Sequence, residues 1–279
     1  MLKVLKPGFF STIQDLGRFG YRSMGVPVSG GMDALAVRKA NLLLENQPND
    51  AVMEITMTGP TLLFETPTYI CLTGAEMAAT LNNEPIKNHN VVQVKAGDIL
   101  SYGKLESGFR SYLAVKGGFL TEEVLGSRSQ YFPVTAGKKL LERNEISYFE
   151  TKRYDALISD PILENHFNSN YLEVEKGPEF MILGDAQLAE LFAQEFTVSE
   201  KNNRMAYQIA EKIVGHQHTI ITSGTLPGTV QLTPGGKLLI LMKDGQTTGG
   251  YPRILQLTEA SICTLAQKRA GDTVQFKLV

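Results

Sequence analysis

The segment Lys237-Leu238-Leu239-Ile240-Leu241-Met242 contains the longest compact apolar run in the sequence, and a polar, glycine-rich segment at 244–253 follows it at once. A short apolar run that ends at turn-forming residues is typical of a buried β-strand. The run is far shorter than the ~18–20 apolar residues that a membrane-spanning helix needs. It therefore predicts a strand in the core of a mainly β protein.

The same pattern recurs along the chain and indicates further strands. Each such segment is short, rich in β-branched or aromatic residues, and bounded by glycine, proline, asparagine or aspartate. The predicted strands are Tyr69–Leu72, Val91–Val94, Tyr112–Val115, Leu172–Val174, Met181–Leu183, His218–Thr222, Lys237–Met242 and Thr273–Leu278. Helical spacing of apolar residues predicts three helices, at Met32–Glu45, Asp185–Phe196 and Thr258–Arg269. The fold class is thus mainly β with a few helices, built from barrels or sandwiches.

The composition of the 279-residue chain excludes several classes of protein. Hydrophobic residues make up 43% and charged residues 20%, which excludes a disordered or fibrous chain. The 27 basic and 29 acidic residues nearly balance, which argues against a nucleic acid partner. Because the N-terminus lacks a signal-peptide pattern, we expect a cytoplasmic protein without a membrane partner.

We expect residues 1–279 to form one functional unit made of two closely packed subdomains. The most polar stretch is 150–170, which contains one proline and three asparagines. Such a stretch suits a connection between two compact regions. We therefore place the boundary between the subdomains within 150–170.

Common active-site motifs are absent from the sequence. It contains neither a G-x-x-x-x-G-K-[ST] phosphate loop, nor a G-x-G-x-x-G dinucleotide loop, nor a G-x-S-x-G nucleophile elbow. Cys71 and Cys263 are too far apart in sequence to suggest a zinc knuckle. His216 and His218 are spaced to share one face of a strand, but solvated or hydrogen-bonded imidazoles are more common than a metal pair. We therefore expect no bound metal.

The first of three polar segments that could bind a ligand contains Gln14-Asp15-Leu16-Gly17-Arg18 and is followed by Gly30-Gly31-Met32-Asp33. Gln14, Asp15 and Arg18 are candidate ligand-binding residues. Asp15 and Arg18 could instead pair with each other around a turn. Asp15 and Asp33 are alternative candidates for a general base.

The second segment, Leu125–Ser129, surrounds Arg128 with small residues, which suits an anion, although this arginine could instead be tied to backbone carbonyl groups. The third segment combines hydroxyl groups, glycines, an aromatic ring and an arginine, which together can line a small-molecule pocket. Its candidate ligand-binding residues are Thr247, Thr248, Gly249, Gly250, Tyr251 and Arg253. We expect the first and third segments to line one cleft. Replacing Arg18 or Thr248 by alanine is then expected to lower the activity of the assembled complex about 10-fold or more and to leave stability nearly unchanged.

With other short motifs, these segments resemble the carboxyltransferase family made up of subdomains A and B, whose members are also called allophanate hydrolase subunit 2 or the C subunit of 5-oxoprolinase. The matching motifs extend over nearly the whole chain. They are Thr12–Arg18, Gly30–Asp33, Ala40-Asn41, Leu72–Ala75, Val115–Gly118, Leu125–Ser129, Asn203–Met205, Pro227–Gln231 and Gln246–Pro252. No single motif is specific, but the set of motifs in this order is.

The resemblance implies a cyclophilin-like β-barrel beside a second β-rich subdomain. It also implies a subunit of a bacterial ATP-dependent 5-oxoprolinase, which hydrolyses 5-oxo-L-proline to L-glutamate. The implied partners are a sister subunit that carries subdomains C and D and a large oxoprolinase subunit, with a small amide or lactam as substrate. We assign Asp15, Arg18 and Asp33 to catalysis. The residues assigned to substrate binding are Gln14, Arg128, Thr247, Thr248, Gly249, Gly250, Tyr251 and Arg253.

Two other functions are consistent with the resemblance. One is a carboxyltransferase component that moves a carboxyl group from carboxybiotin to urea or a similar amide. The other is a regulatory protein that binds and antagonises a sister kinase-inhibitor subunit. Because the sequence has no phosphate loop, we expect ATP to bind across the complex and the isolated chain to be inactive. Asp244 stands where a biotinylated Met242-Lys243 segment would need a second methionine, so we expect no covalent biotin on this chain.

Overall fold

The computed structural model of the protein describes residues 1–157 and 166–279. The chain divides into two compact units. Unit 1 comprises Met1–Arg18 and Ser29–Asn165, and unit 2 comprises Phe19–Val28 and His166–Val279. The stretch 150–170, in which we expect the boundary, lies partly outside the described residues.

Unit 1 contains two antiparallel sheets and one described helix, α1 (Ala34–Leu43). Its strands are β1 (Leu2–Lys6), β2 (Phe10–Gln14), β3 (Val52–Thr56), β4 (Thr61–Phe64), β5 (Thr68–Glu76), β6 (Thr80–Leu81), β7 (Glu84–Pro85), β8 (Val91–Val94), β9 (Ile99–Ser101), β10 (Ser107–Val115) and β11 (Glu145–Ile146). The order is β11-β1-β4-β9-β6-β7 in the six-stranded sheet and β2-β3-β10-β5-β8 in the five-stranded sheet.

The five-stranded sheet of unit 1 is covered on both faces. On one face, apolar side chains such as Met53 and Leu113 join those of the six-stranded sheet in one core. On the other face, Val37 and Ala40 of α1 pack against Tyr112. Because both faces are covered, every residue of β3 is buried, including the polar side chains of Glu54 and Thr56 on the helix-covered face.

Unit 2 contains a closed barrel of order β12-β19-β16-β17-β14-β13-β20. Its strands are β12 (Tyr171–Lys176), β13 (Phe196–Asn202), β14 (Ala206–Lys212), β15 (Ser223–Gly224), β16 (Thr229–Leu232), β17 (Lys237–Leu241), β18 (Thr248–Gly249), β19 (Arg253–Leu257) and β20 (Thr273–Leu278), and its α-helices are α2 (Asp185–Ala193) and α3 (Glu259–Ala266). Strands β12 and β20 close the barrel as a parallel pair, and β15 pairs with β18 outside it. Short 3-10 helices lie at Arg22–Met24, His166–Asn168 and Phe180–Ile182.

The barrel interior is filled by alternate residues of its strands. Leu238 and Ile240 of β17 are fully buried, as are Val230 and Leu232 of the neighbouring β16. The predicted apolar strand at Lys237–Met242 is therefore confirmed as a barrel strand. The predicted mainly β fold with a barrel and a second β-rich part is confirmed as well.

Two predicted strands are wrong. Most of Met181–Leu183 lies in the 3-10 helix Phe180–Ile182, with the Met181 side chain exposed to solvent. His218–Thr222 lies outside the strands of unit 2, and the rings of His216 and His218 stack with centroids 6.0 Å apart. Short runs of this kind cannot be assigned from periodicity alone, because strand propensity depends on packing partners that are distant in sequence.

Candidate functional site

The carboxylate of Asp15 gathers two of the predicted polar segments in unit 1. Its Oδ1 accepts hydrogen bonds from the Gly17 N–H (2.8 Å) and from the hydroxyl groups of Ser127 (2.7 Å) and Ser129 (2.5 Å). Its Oδ2 accepts from the Arg128 N–H at 2.7 Å. Asp15 is only 1% exposed. A buried carboxylate needs such donors to offset the loss of water, so Asp15 acts as the centre around which the loop at 125–129 folds.

The Arg18 guanidinium holds the same loop by donating hydrogen bonds to the loop's backbone carbonyl groups. The guanidinium donates from Nε to the Val124 carbonyl (2.9 Å) and from Nη2 to the carbonyls of Ser129 (2.9 Å) and Ser127 (3.5 Å). Arg18 is fully buried. Asp15 and Arg18 thus hold one loop by opposite means: the carboxylate accepts hydrogen bonds from the loop, and the guanidinium donates hydrogen bonds to its carbonyls.

Gly30 and Gly31 bring the SGGMD segment at 29–33 against the same site. The Gly31 N–H donates to the Asp15 carbonyl at 2.8 Å. A Cβ atom on Gly30 would lie 2.7 Å from the carbonyl carbon of Leu16, and Gly30 has a φ of +84°. Both the close backbone approach and the left-handed conformation therefore require glycine at this position.

Asp33 lies at the N-terminus of α1, in a buried polar network. Its Oδ1 accepts from the Ala36 N–H at 3.0 Å, which caps the helix. Its own N–H donates to the Tyr112 hydroxyl, which in turn donates to Oε2 of Glu54 at 2.9 Å. Burial raises the pKa of Tyr112 well above its ordinary value, so the phenol remains a hydrogen-bond donor. The network fixes the start of the helix next to the site.

Gln14 is the last residue of β2 and is also tied to the chain that follows the 125–129 loop. Its Nε2 donates to the carbonyl of Gln130 and to the hydroxyl of Thr12, both at 3.1 Å. In the reverse direction, the Ile13 N–H donates to Oε1 of Gln130 at 3.0 Å. Five predicted site residues of unit 1 are thereby held in one hydrogen-bonded region: Gln14, Asp15, Arg18, Asp33 and Arg128.

A cleft of about 350 Å³ opens beside this region, entirely within unit 1. This volume lies at the small end of the range for ligand pockets, roughly 300–1,000 Å³. The lining residues are Asp15, Asn49, Asp50, Ala51, Gly117, Phe119, Leu120, Glu123, Gly126, Arg128 and Phe149. A Cβ atom on Gly117 would lie 2.7 Å from Cδ2 of Phe149, so glycine lets this ring lie over the backbone at the cleft wall.

Arg128 is the one guanidinium among the residues that line the cleft. Its side chain is 32% exposed. Nη1 donates to the Thr121 carbonyl, and Nη2 lies 3.7 Å from Oε2 of Glu123. The arginine is therefore tied to a carbonyl group, as one of the two interpretations of the sequence predicted, and also presents a charged edge to the cleft. Such an edge can bind a carboxylate.

The predicted segment at 247–253 lies in unit 2, where Arg253 forms a two-pronged ion pair. Its Nε and Nη2 donate to the two carboxylate oxygens of Glu179 at 2.9 and 2.7 Å, and its Nη1 donates to the Gly224 carbonyl. These hydrogen bonds from Arg253 hold the pKa of Glu179 below its ordinary value. Arg253 therefore ties strand β19 to the turn that contains Glu179.

The remainder of this segment is held by its backbone, while several side chains face solvent. The Thr247 carbonyl accepts from the Thr225 N–H at 3.0 Å, and the Tyr251 carbonyl accepts from Nε2 of Gln231 at 3.3 Å. Thr248, Gly250 and Tyr251 are exposed, whereas Gly249 is buried. The exposed hydroxyl groups are available to a ligand or a partner. The expectation that this segment shares a cleft with Gln14–Arg18 stays a prediction.

Several residues of the unit 1 site were not assigned a role from the sequence. Glu54 and Tyr112 face each other across the β3–β10 pair, a relation that no sequence motif indicates. Glu123 and Asp50 line the cleft, but neither belongs to a sequence motif that indicates a binding site. The hydroxyl groups of Ser127 and Ser129 did carry a signal, because they alternate around Arg128 in a glycine-containing segment.

In the part of the chain that the structure describes, no group of three or more histidine, cysteine, aspartate or glutamate side chains is arranged to hold a metal ion. Burial raises the pKa of Cys71 to about 12, so its thiol stays protonated at neutral pH.

The helices of residues 1–157 and 166–279 are all too short or too polar to cross a membrane.

Comparison with known proteins identifies a matching family and several relatives of this chain. Residues 24–278 match the model of a family described as carboxyltransferase domain, subdomain A and B. The chain is 34% identical to the C subunit of 5-oxoprolinase from Escherichia coli (strain K12), over 99% of this chain and 90% of that protein. It is also 30% identical to a urea amidolyase of Lachancea kluyveri, over 98% of this chain but only 17% of that protein.

A solved structure has the same fold. The crystal structure of TTHA0988 superposes with a TM-score of 0.86 and 26% sequence identity, over 99% of this chain. This chain spans about half of that protein, 55% of its length. The fold therefore occurs both in proteins of about this length and as one part of longer chains.

Proposed function

Because the chain belongs to the carboxyltransferase family defined by subdomains A and B, we propose that it is one subunit of a 5-oxoprolinase that hydrolyses 5-oxo-L-proline to L-glutamate. The observation that carries the proposal is the 34% identity to the C subunit of 5-oxoprolinase, which extends over nearly the full length of both chains. The match to urea amidolyase is weaker and covers a small part of that protein.

Two features of the unit 1 cleft support this proposal. Hydrolysis adds water to the lactam carbonyl carbon, breaks the ring C–N bond and gives the nitrogen a proton. The substrate carries one carboxylate, for which Arg128 supplies the guanidinium. The exposed ring of Phe149 offers an apolar wall to the methylene groups of the lactam.

We divide the assigned residues by what their side chains contact. Arg128 binds the substrate carboxylate, and Gln14, Asp15 and Arg18 hold the loop that presents it. Asp15 and Asp33 remain the alternative general bases; Asp15 lines the cleft, whereas Asp33 is buried at the start of α1. In unit 2, we propose that the strip at 247–251, whose Thr248, Gly250 and Tyr251 are exposed and which Arg253 anchors, meets the substrate or a partner protein in the assembled complex.

ATP fits poorly in the unit 1 cleft. The charged side chains that line it are one guanidinium and three carboxylates, Asp15, Asp50 and Glu123. A triphosphate would meet net negative charge there and would be repelled more strongly than an anion with a single charge, which can pair with Arg128. We therefore propose that ATP binds across a complex with a sister C/D subunit and a large subunit, that the isolated chain is inactive, and that the complex works in the cytoplasm, where ATP is supplied.

The decisive experiment is co-expression of this chain with the sister and large subunits, followed by an assay for glutamate formed from 5-oxoproline and ATP. We expect glutamate from the complete complex and none from any preparation that lacks this chain. Equal activity with and without the chain would refute the proposal. Hydrolysis of ATP and 5-oxoproline by the purified chain alone would refute the proposed dependence on partners.

A carboxyltransferase acting on urea or a similar amide is the second candidate, because one part of a urea amidolyase is similar in sequence to 98% of this chain. The two candidates differ in the charge of the substrate. Urea is neutral and offers Arg128 a carbonyl oxygen but no carboxylate, so the guanidinium favours the lactam acid. Carboxylation of urea on addition of a carboxylated biotin carrier, with no glutamate from 5-oxoproline, would select the second candidate.

A further inference from the structure

Glu123 lies at the edge of the unit 1 cleft, close to the arginine that faces it. Its Oε2 is 3.7 Å from Nη2 of Arg128, and both side chains line the cleft. The Glu123 side chain is 55% exposed. A single long contact between partly exposed charges contributes little to stability. The contact can therefore be exchanged for a better one.

The two partners of this contact differ in freedom. The Arg128 backbone is fixed by the Asp15 carboxylate, and its Nη1 is fixed by the Thr121 carbonyl. The guanidinium therefore stays in place when its partner leaves. The more exposed Glu123 side chain can turn into water, where its charge is well solvated. An incoming anion would meet an arginine already in position.

We infer that the Glu123 carboxylate pairs with Arg128 in the place that the carboxylate of the substrate takes on binding. A small cyclic amide that bears one carboxylate displaces the Glu123 side chain from the guanidinium when it enters the cleft. This inference rests on the proposed function and identifies the residue that sets selectivity in its cleft. A ligand carboxylate can form two short, charge-assisted hydrogen bonds with the guanidinium, which exceed the single contact to Glu123. A neutral amide makes no such contact and leaves the Glu123–Arg128 pair intact.

The same arrangement limits the charge of the ligand. Asp15, Asp50 and Glu123 all line the cleft, so a second negative charge on the ligand adds repulsion that the single guanidinium does not compensate. The apolar walls formed by Leu120 and Phe149 favour a compact ring over an extended polar chain. The selected class is therefore a small lactam with a single carboxylate.

The test compares Glu123→Gln with Glu122→Gln, a matched control at the neighbouring exposed glutamate, which does not line the cleft. Each full-length variant is titrated calorimetrically with 5-oxoproline and with 2-pyrrolidinone, the same lactam without the carboxylate. The KM for 5-oxoproline is measured in parallel in the assembled complex. Arg128→Lys is included to remove the two-pronged contact while the charge is kept.

We expect Glu123→Gln to bind 5-oxoproline about 2- to 5-fold more tightly than Glu122→Gln, and to lower KM by a similar factor, because a competing weak ion pair is removed. Binding of 2-pyrrolidinone should be the same in both variants. Arg128→Lys should weaken 5-oxoproline binding about 10-fold.

Equal affinities for 5-oxoproline in Glu123→Gln and Glu122→Gln would overturn the inference, as would the same gain for 2-pyrrolidinone. Absence of saturable 5-oxoproline binding in both the chain and the complex would overturn it too. Glutamate formation by the complex is read separately. An active complex that does not distinguish the two glutamine variants refutes the role of Glu123 and leaves the proposed function standing.

Discussion

Arg18 in unit 1 and Arg253 in unit 2 both anchor a polar segment, but they do so in different ways. Arg18 is fully buried and donates to backbone carbonyls of the 124–129 loop. Arg253 is 18% exposed and forms a two-pronged pair with the Glu179 carboxylate. In unit 1 a further arginine, Arg128, remains at the edge of a cleft, whereas in unit 2 the arginine of the segment is itself the anchor.

This difference shows why the two segments, which look alike in sequence, are suited to different tasks. A buried guanidinium that serves carbonyl groups shapes a loop and leaves a second arginine for a ligand. An arginine paired with a carboxylate has its charge already compensated, so its affinity for a substrate anion is reduced. Substitutions at these positions can therefore separate anchoring from binding.

We expect the strongest effect for Arg18→Gln, and we expect it on stability. The change removes a buried charge and the donors to carbonyls of Val124, Ser127 and Ser129, while the Asp15 carboxylate stays buried. The free energy of unfolding, measured by urea denaturation, should fall by about 3–5 kcal/mol. Because Arg18 is buried, we no longer expect its substitution to leave stability nearly unchanged, as the sequence alone suggested. Arg128→Gln is the matched control, and a similar loss in that variant would contradict the distinction.

The next effect is on activity, for Arg128→Gln. Loss of the guanidinium at the cleft removes a charge-assisted contact to the substrate carboxylate, so kcat/KM of the assembled complex should fall about 10- to 100-fold. The melting temperature should change little, because the side chain is partly exposed and its contact with Glu123 is weak. Full activity in this variant would show that the cleft does not bind the substrate.

For Glu179→Gln we expect a loss of about 2 kcal/mol in stability at neutral pH, because a charge-assisted pair is broken. Hydrogen bonds from Arg253 lower the pKa of Glu179 in the folded protein below its ordinary value of 4.5. Its contribution is therefore complete above that value and is lost as pH falls through the lowered pKa. Denaturation of wild type and variant at neutral and acidic pH should show the difference shrinking with acid. Glu175→Gln, at an exposed position, is the control, and a constant difference at all pH values would contradict the assignment.

The weakest effect is expected for Thr248→Ala. Its side chain is exposed on the short strand β18, so stability should change by less than about 0.5 kcal/mol. If the strip contacts substrate or partner, activity of the complex should fall about 10-fold through loss of one polar contact. Steady-state kinetics decide this point. A loss below about twofold would leave Arg128 as the sole tested contact and limit the site to unit 1.

Part of the site could be predicted from the sequence, because some of its chemistry is local. Small hydroxyl residues around Arg128, and an aspartate and an arginine separated by two residues, are visible without a structure. That Asp15 bonds to Ser127, 112 positions away, is not visible. Likewise, Glu54 and Tyr112 meet only because β3 pairs with β10 in one register. Glu122 and Glu123 are adjacent in sequence, but in the folded chain Glu123 lines the cleft and Glu122 does not.

The amino-acid sequence alone was enough to establish the mainly β character, the barrel strand at Lys237–Leu241, the three helices and the family, since apolar periodicity, turn residues and short motifs are local properties. It took the folded chain to show that Arg18 is buried, that Arg253 is paired with Glu179, and that Arg128 faces a cleft. Burial and pairing depend on which distant strands and loops come together. The free energy of a charged side chain in turn depends on the donors, acceptors and water that these contacts place around it.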